Sequence, residues 1–151
     1  MGQIVYPQVT DPGSVDLSWM IGRRIAEVMF QEPVSWTFFF ERGCAINVDC
    51  PWRILKQGRL TRSSDDHGQQ YGLPAPIDAA IEATNLFSTQ VINAAQLRVG
   101  TSDILIDFSG DLRLEILPIS SGYEAWQMTN PFGTEFFAQG GGQISILRGD
   151  A

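Results

Sequence analysis

The stretch WTFFFERGCAINVDCP, Trp36 to Pro51, sets two alternating runs on either side of a Glu-Arg-Gly turn. In the first, Trp36, Phe38 and Phe40 alternate with Thr37 and Phe39; in the second, Ile46, Val48 and Cys50 alternate with Asn47 and Asp49. Successive side chains of a strand point to opposite faces, so this period of two predicts a hairpin with one buried face, ended by Pro51. The arrangement returns in ILIDFSGDLRLEILP, Ile104 to Pro118. There Ile104, Ile106 and Phe108 alternate with Leu105 and Asp107, Ser109-Gly110-Asp111 turns, and Leu112, Leu114 and Ile116 alternate with Arg113 and Glu115 before Pro118. The copies lie about 67 residues apart, a spacing that suits a repeated supersecondary unit. Upstream of each, a short helical segment leads into a further strand, RRIAEVMF in the first and TQVINAAQL in the second. We read a degenerate internal repeat, helix then three-strand meander, over residues 16–51 and 78–118.

Outward from these units the signals are shorter. Residues 1–15 carry two prolines and a Pro-Gly turn, which predicts an irregular N-terminal arm. DLSWMIG reads as one helical turn capped by Asp16 and stopped near Gly22. PIDAAIEATNLF predicts a helix near Asp78 to Leu86, with Ile77, Ala80, Ile81 and Asn85 or Leu86 near one face and Asp78 and Glu82 at its positive end. After Trp126, Asn130-Pro131-Phe132-Gly133 turns, Glu135 to Gln139 is a strand, and Gln143 to Leu147 closes the fold as an edge strand. Three glycines, Gly140 to Gly142, lie between them, where they permit positive φ or close approach of another backbone. The fold class expected is α+β, mainly antiparallel β built from two related meanders with one or two short helices, in a single domain over residues 1–151.

A chain of 151 residues with 44% hydrophobic and 18% charged residues has enough core to fold without staples. Its net charge of −7, 17 acidic against 10 basic residues, repels nucleic acid and anionic membranes and favours a basic partner. Two cysteines and one His are too few for a Cys/His metal site, so neither metal nor other cofactor is expected. No apolar run approaches a bilayer span, and no leader pattern opens the chain. These features suggest a cytoplasmic protein with free thiols. Nine Phe, four Trp and three Tyr exceed what one helix on one sheet covers, which predicts a homo-oligomer.

Three stretches hold the candidate site residues. RSSDDHGQQYGLPAP contains the sole His, His67, beside Asp65 and Asp66, the parts of a general base. A Gly-bearing polar loop also needs such residues to satisfy its own backbone, and we take that as the primary reading. Trp52 and Arg53 in CPWRI and Tyr123 and Glu124 in SGYEAWQ follow the second strand of each unit, and their types suit an interaction surface. Trp126 is expected in the core. Cys50 should be buried with Ile46 and Val48, whereas Cys44, beside the turn, is expected nearer solvent.

W-x-F-x-F with INVDCPWRI, SSDDHGQQYGLP, LIDFSGDLRLEILPISSGYEAWQM and AQGGGQ resembles, over roughly Leu17 to Leu147, a family of small bacterial proteins classed as a domain of unknown function. The succession of strand, FSG turn, alternating strand and Tyr-Glu-x-Trp is similar to candidate immunity proteins of bacterial toxin systems. The resemblance implies a bacterial origin and supplies no catalytic residue. The expected function is a non-enzymatic protein-interaction or immunity-like module, with a catalytic residue assigned nowhere. The alternative is a small hydrolase or ligand-binding protein that joins Asp65, Asp66 and His67 to Tyr123 and Glu124 in one pocket.

Overall fold

The computed structural model describes residues 8–10 and 15–147 of the chain. Among them are the strands β1 (Gln8–Thr10), β2 (Ile25–Gln31), β3 (Ser35–Phe40), β4 (Ala45–Val48), β5 (Trp52–Lys56) and β6 (Arg59–Ser63), then the helix α1 (Ala79–Phe87). The second half adds β7 (Ile92–Leu97), β8 (Ile104–Phe108), β9 (Leu112–Ile116), β10 (Trp126–Thr129), β11 (Glu135–Ala138) and β12 (Ile144–Leu147). Single 3-10 turns occur at Ser18–Met20, Ser64–Asp66 and Gly140–Gly142. The strands form two antiparallel sheets, β1-β12-β11-β10-β4-β3-β2 and β6-β5-β9-β8-β7. The α+β class with mainly antiparallel sheet is therefore observed.

Alternation decides what each sheet buries. Trp36, Phe38, Phe40, Ile46, Val48, Trp126 and Met128 turn inward from the first sheet, and Trp52, Ile54, Ile104, Ile106, Leu114 and Ile116 from the second. The faces meet where the Trp52 ring packs edge-on against Trp36 at 4.9 Å and Phe38 at 5.4 Å between centroids. Each such ring removes roughly 150–250 Å² from water, an upper-bound gain of about 4–6 kcal/mol before entropy. Helix α1 shields the edge strand β2: Thr84 Oγ1 accepts the Val28 N–H at 2.9 Å, so one edge donor is satisfied by a side chain. Asp78 caps the helix by accepting the Ile81 N–H, and Phe87 stacks on Phe108 at 4.7 Å.

Strands β2-β3-β4 and β7-β8-β9 are both antiparallel meanders, and their registers correspond. Ile25 pairs with Phe40 and Ile92 with Phe108, each followed by a bulge. At the bulges, Arg24 N–H donates to Glu41 Oε1 and Val91 N–H to Ser109 Oγ, while the Arg24 and Val91 carbonyls accept the N–H of Glu41 and Ser109. The hairpin following each meander joins the other sheet. β5-β6 adds to β9, with Trp52 opposite Ile116, and β10-β11 adds to β4, with Trp126 opposite Val48.

Several sequence expectations need correction. WRILKQGRLTRS, left outside the predicted strands, forms the β5-β6 hairpin, turned by Gln57 and Gly58 at φ of 53° and 75°. Gln8–Thr10, expected within an irregular arm, pairs with β12; residues 1–7 and 11–14 of that arm lie outside the described residues. β12 is consequently flanked on both sides and is not an edge. Helix α1 buries Ala79, Ala80, Ala83 and Phe87, whereas Ile81 is exposed. Its small residues let the helix lie close on β2, which rotates the apolar face away from Ile81. Cys44 is buried, with its sulfur 3.9 Å from Arg23 Nη1.

Candidate functional site

The exchange of hairpins forces two connections to cross: Asp49–Pro51, between β4 and β5, and 117–125, between β9 and β10. They are tied antiparallel by Asp49 N–H to the Ala125 carbonyl and Leu117 N–H to the Pro51 carbonyl, at 2.8 and 2.9 Å. At the crossing is a cleft of about 390 Å³ lined by Asp49, Cys50, Pro51, Ile119, Ser120, Tyr123, Glu124 and Ala125. Ser120 Oγ accepts the N–H groups of Gly122 and Tyr123, so the loop that carries Tyr123 is closed on itself. The glycine run braces that loop from behind. A Cβ on Gly140 would collide with the Ser121–Gly122 backbone, and one on Gly142 with the Gly100 carbonyl, so only glycine permits the contact.

The cleft is apolar at its floor and acidic at its rim. Cys50 is almost wholly buried, and burial pushes its thiol up to about 12, so it stays protonated near neutrality. Tyr123 and Ile119 stand out with about 81% and 79% of their surface exposed. The Glu124 carboxyl is raised above its ordinary value, first by burial and then by the neighbouring charge of Asp49. Asp49 accepts the Ser35 hydroxyl at 2.7 Å. Among the described residues neither carboxylate has a basic side chain in ion-pair range.

The other sequence candidates serve the fold. Asp66 accepts the Ser63 N–H at 2.9 Å and completes a capping box, and the Tyr71 hydroxyl donates to it at 3.0 Å. That bond holds the Tyr71 phenol above its ordinary value. His67 Nδ1 accepts the Ala79 N–H at 3.1 Å at the start of α1, and its ring lies against Phe30 and Trp36 at 4.4 and 5.2 Å. Asp65 is exposed on the 3-10 turn. The crossover cleft is not lined by Asp65, Asp66 or His67, so it does not unite the two loops as a shared pocket. Trp52, expected at an interaction surface, is fully buried because the missed strand β5 turns it between the sheets. Arg53 Nε donates to Glu115 at 2.6 Å, and Glu115 also receives Arg113.

Tyr123 and Glu124 thus remain at a cleft, joined by Asp49, Cys50 and Ile119, which the sequence did not connect with them. Nothing local marks that association, since pairing across the sheets creates it. Among the described residues no cluster of three or more His, Cys, Asp or Glu is placed to hold a metal, and no helix is long and apolar enough to cross a membrane. Comparison with family models, curated proteins and solved structures finds no match, so the functional reading rests on this geometry.

Proposed function

We propose that the protein is a non-enzymatic interaction module that holds a protein partner at the crossover cleft, an immunity-like role being one form of it. The observation that carries this reading is the cleft, where exposed Ile119 and Tyr123 stand beside two carboxylates without a basic partner among the described residues. Tyr is a favoured anchor in interfaces because it buries a large ring at little conformational cost, and here its loop is already closed. Charge supports the same partner chemistry. Arg24, Arg53, Arg62, Arg98 and Arg113 are engaged with the protein's own carboxylates, and the net charge of −7 leaves an acidic balance that steers a basic partner. The free, buried Cys44 and Cys50 suit a reducing, cytoplasmic setting.

The test is site-specific photocrosslinking in the source cell. A benzophenone side chain at position 123 should give a discrete protein adduct that position 21, also exposed, does not. The identified partner should then lose affinity for the Tyr123→Ala variant. Adducts independent of position, or unchanged affinity of that variant, would overturn the reading.

We also propose that the two meanders descend from one repeated unit, supported by their matched registers and bulges. Self-association is a further proposal, supported by exposed Met29 and Phe39 on the outer face of the first sheet. Sedimentation at micromolar concentration should show a dimer; a monomer removes it.

A further inference from the structure

We infer that the crossover cleft receives an arginine side chain of the partner, with its guanidinium between Asp49 and Glu124 and its stem against Ile119 and Tyr123. This rests on the partner reading above and names what enters the site. Size sets the first constraint. A cleft of about 390 Å³ is at the small end of the range of ligand pockets and has room for an arginine side chain.

Chemistry sets the second. Cys50, Pro51, Ile119 and Ala125 provide an apolar lining for an aliphatic stem, and the Cys50 thiol is neutral, so the floor adds no competing charge. The rim supplies the opposite requirement. Glu124 lies beside the like charge of Asp49, and an incoming cation offsets that repulsion. Asp49 gives one acceptor to Ser35 and keeps further lone pairs. Two carboxylates on different chain segments offer acceptors spread in space. A guanidinium, planar with five donors, can address both, whereas an ammonium is a compact, strongly hydrated point charge.

Geometry sets the third. Tyr123 is presented by the Ser120 turn, whose backbone is backed by Gly140, so its backbone is set before binding and its exposed ring can turn to cover a cation with its face. Among the described residues no arginine of the chain forms an ion pair with Asp49 or Glu124, so both carboxylates can take a cation from outside.

The test uses N-acetyl-arginine methylamide as probe, with the lysine and norleucine analogues, in amide chemical-shift titrations of the whole protein. The arginine amide should shift Asp49, Cys50 and Tyr123 to Ala125 with a dissociation constant on the order of millimolar. The lysine analogue should bind several-fold more weakly, and norleucine should not saturate. Asp49→Asn and Glu124→Gln are near-isosteric changes at exposed positions, and an unchanged spectrum elsewhere verifies their folding. Each should weaken the arginine probe about five- to ten-fold, the equivalent of one charged hydrogen bond at a rim. Norleucine binding as well as arginine, shifts confined to another face, or a double variant that binds like the parent would overturn the inference. Should the double variant fail to discriminate while position 123 still crosslinks a partner, the arginine assignment falls and the interaction site stands. Should arginine bind but position 123 give no adduct, the partner reading falls instead.

Discussion

Trp52 and Trp126 occupy corresponding places at the head of the two exchanged hairpins, both essentially buried, yet their indole N–H groups differ in partner. Trp126 Nε1 donates to the Ser102 carbonyl at 3.0 Å, and Ser102 is itself fully buried; Trp52 Nε1 is buried without a partner. Replacing either by Phe removes the same volume and so the same packing contribution, to first order. Trp126→Phe additionally strands a buried carbonyl, at a cost of about 1–3 kcal/mol, whereas Trp52→Phe removes an unsatisfied donor. The variants should therefore differ by about 1–3 kcal/mol, with Trp126→Phe the less stable. In urea, with a slope of about 2 kcal/mol/M, that difference separates the unfolding midpoints by about 0.5–1.5 M. Trp126→Ala, which empties the site, should lose at least about 3–5 kcal/mol. Equal midpoints for the two Phe variants, or a larger loss at Trp52, would refute the assignment of the hydrogen bond as the distinguishing interaction.

The Cys50 thiol should resist labelling in the native protein. Because folding raises it from 9.0 to about 12, its stabilising contribution is complete below pH 9.0 and is lost progressively as pH rises toward 12; Cys50→Ala should remove that slope in denaturant titrations. His67→Ala should lower stability by about 1–3 kcal/mol through the lost Ala79 bond and ring packing, while leaving partner affinity unchanged; loss of affinity in a folded variant would return His67 to the site. Gly140→Ala should displace Ser121–Gly122 and weaken the arginine probe without a change in charge, and unaltered amide shifts for residues 120–124 would show that the brace is not needed.

The strands of the two meanders were legible because one inward set alternates against a more polar one and a glycine-bearing turn separates the runs. The β5-β6 hairpin escaped because β6, an edge strand, carries Arg59, Leu60, Thr61 and Arg62 with no fully buried member, so no apolar periodicity remained to read. Its Gln57-Gly58 turn was the available signal. Trp126 is legible as core because it follows a strand and has the volume to close one end of the core. Trp52 also follows a strand but was assigned to an interaction surface, since nothing local says that its hairpin crosses to the other sheet and buries it. Tyr123 and Glu124 were found as residues but not as a cleft, because Asp49, Cys50 and Ile119 reach them through pairings formed far apart along the chain.

Exchange of the hairpins also fixes an order of events on the ribosome. β4 acquires its second neighbour only when β10 has been made, and β1 finds its partner only when β12 has followed. A nascent chain stopped before Trp126 presents β4 as a bare strand edge carrying Ile46 and Val48, a template for pairing with the wrong neighbour. Such long-range closure slows productive folding, since the entropy of the intervening loop is lost before the contacts form.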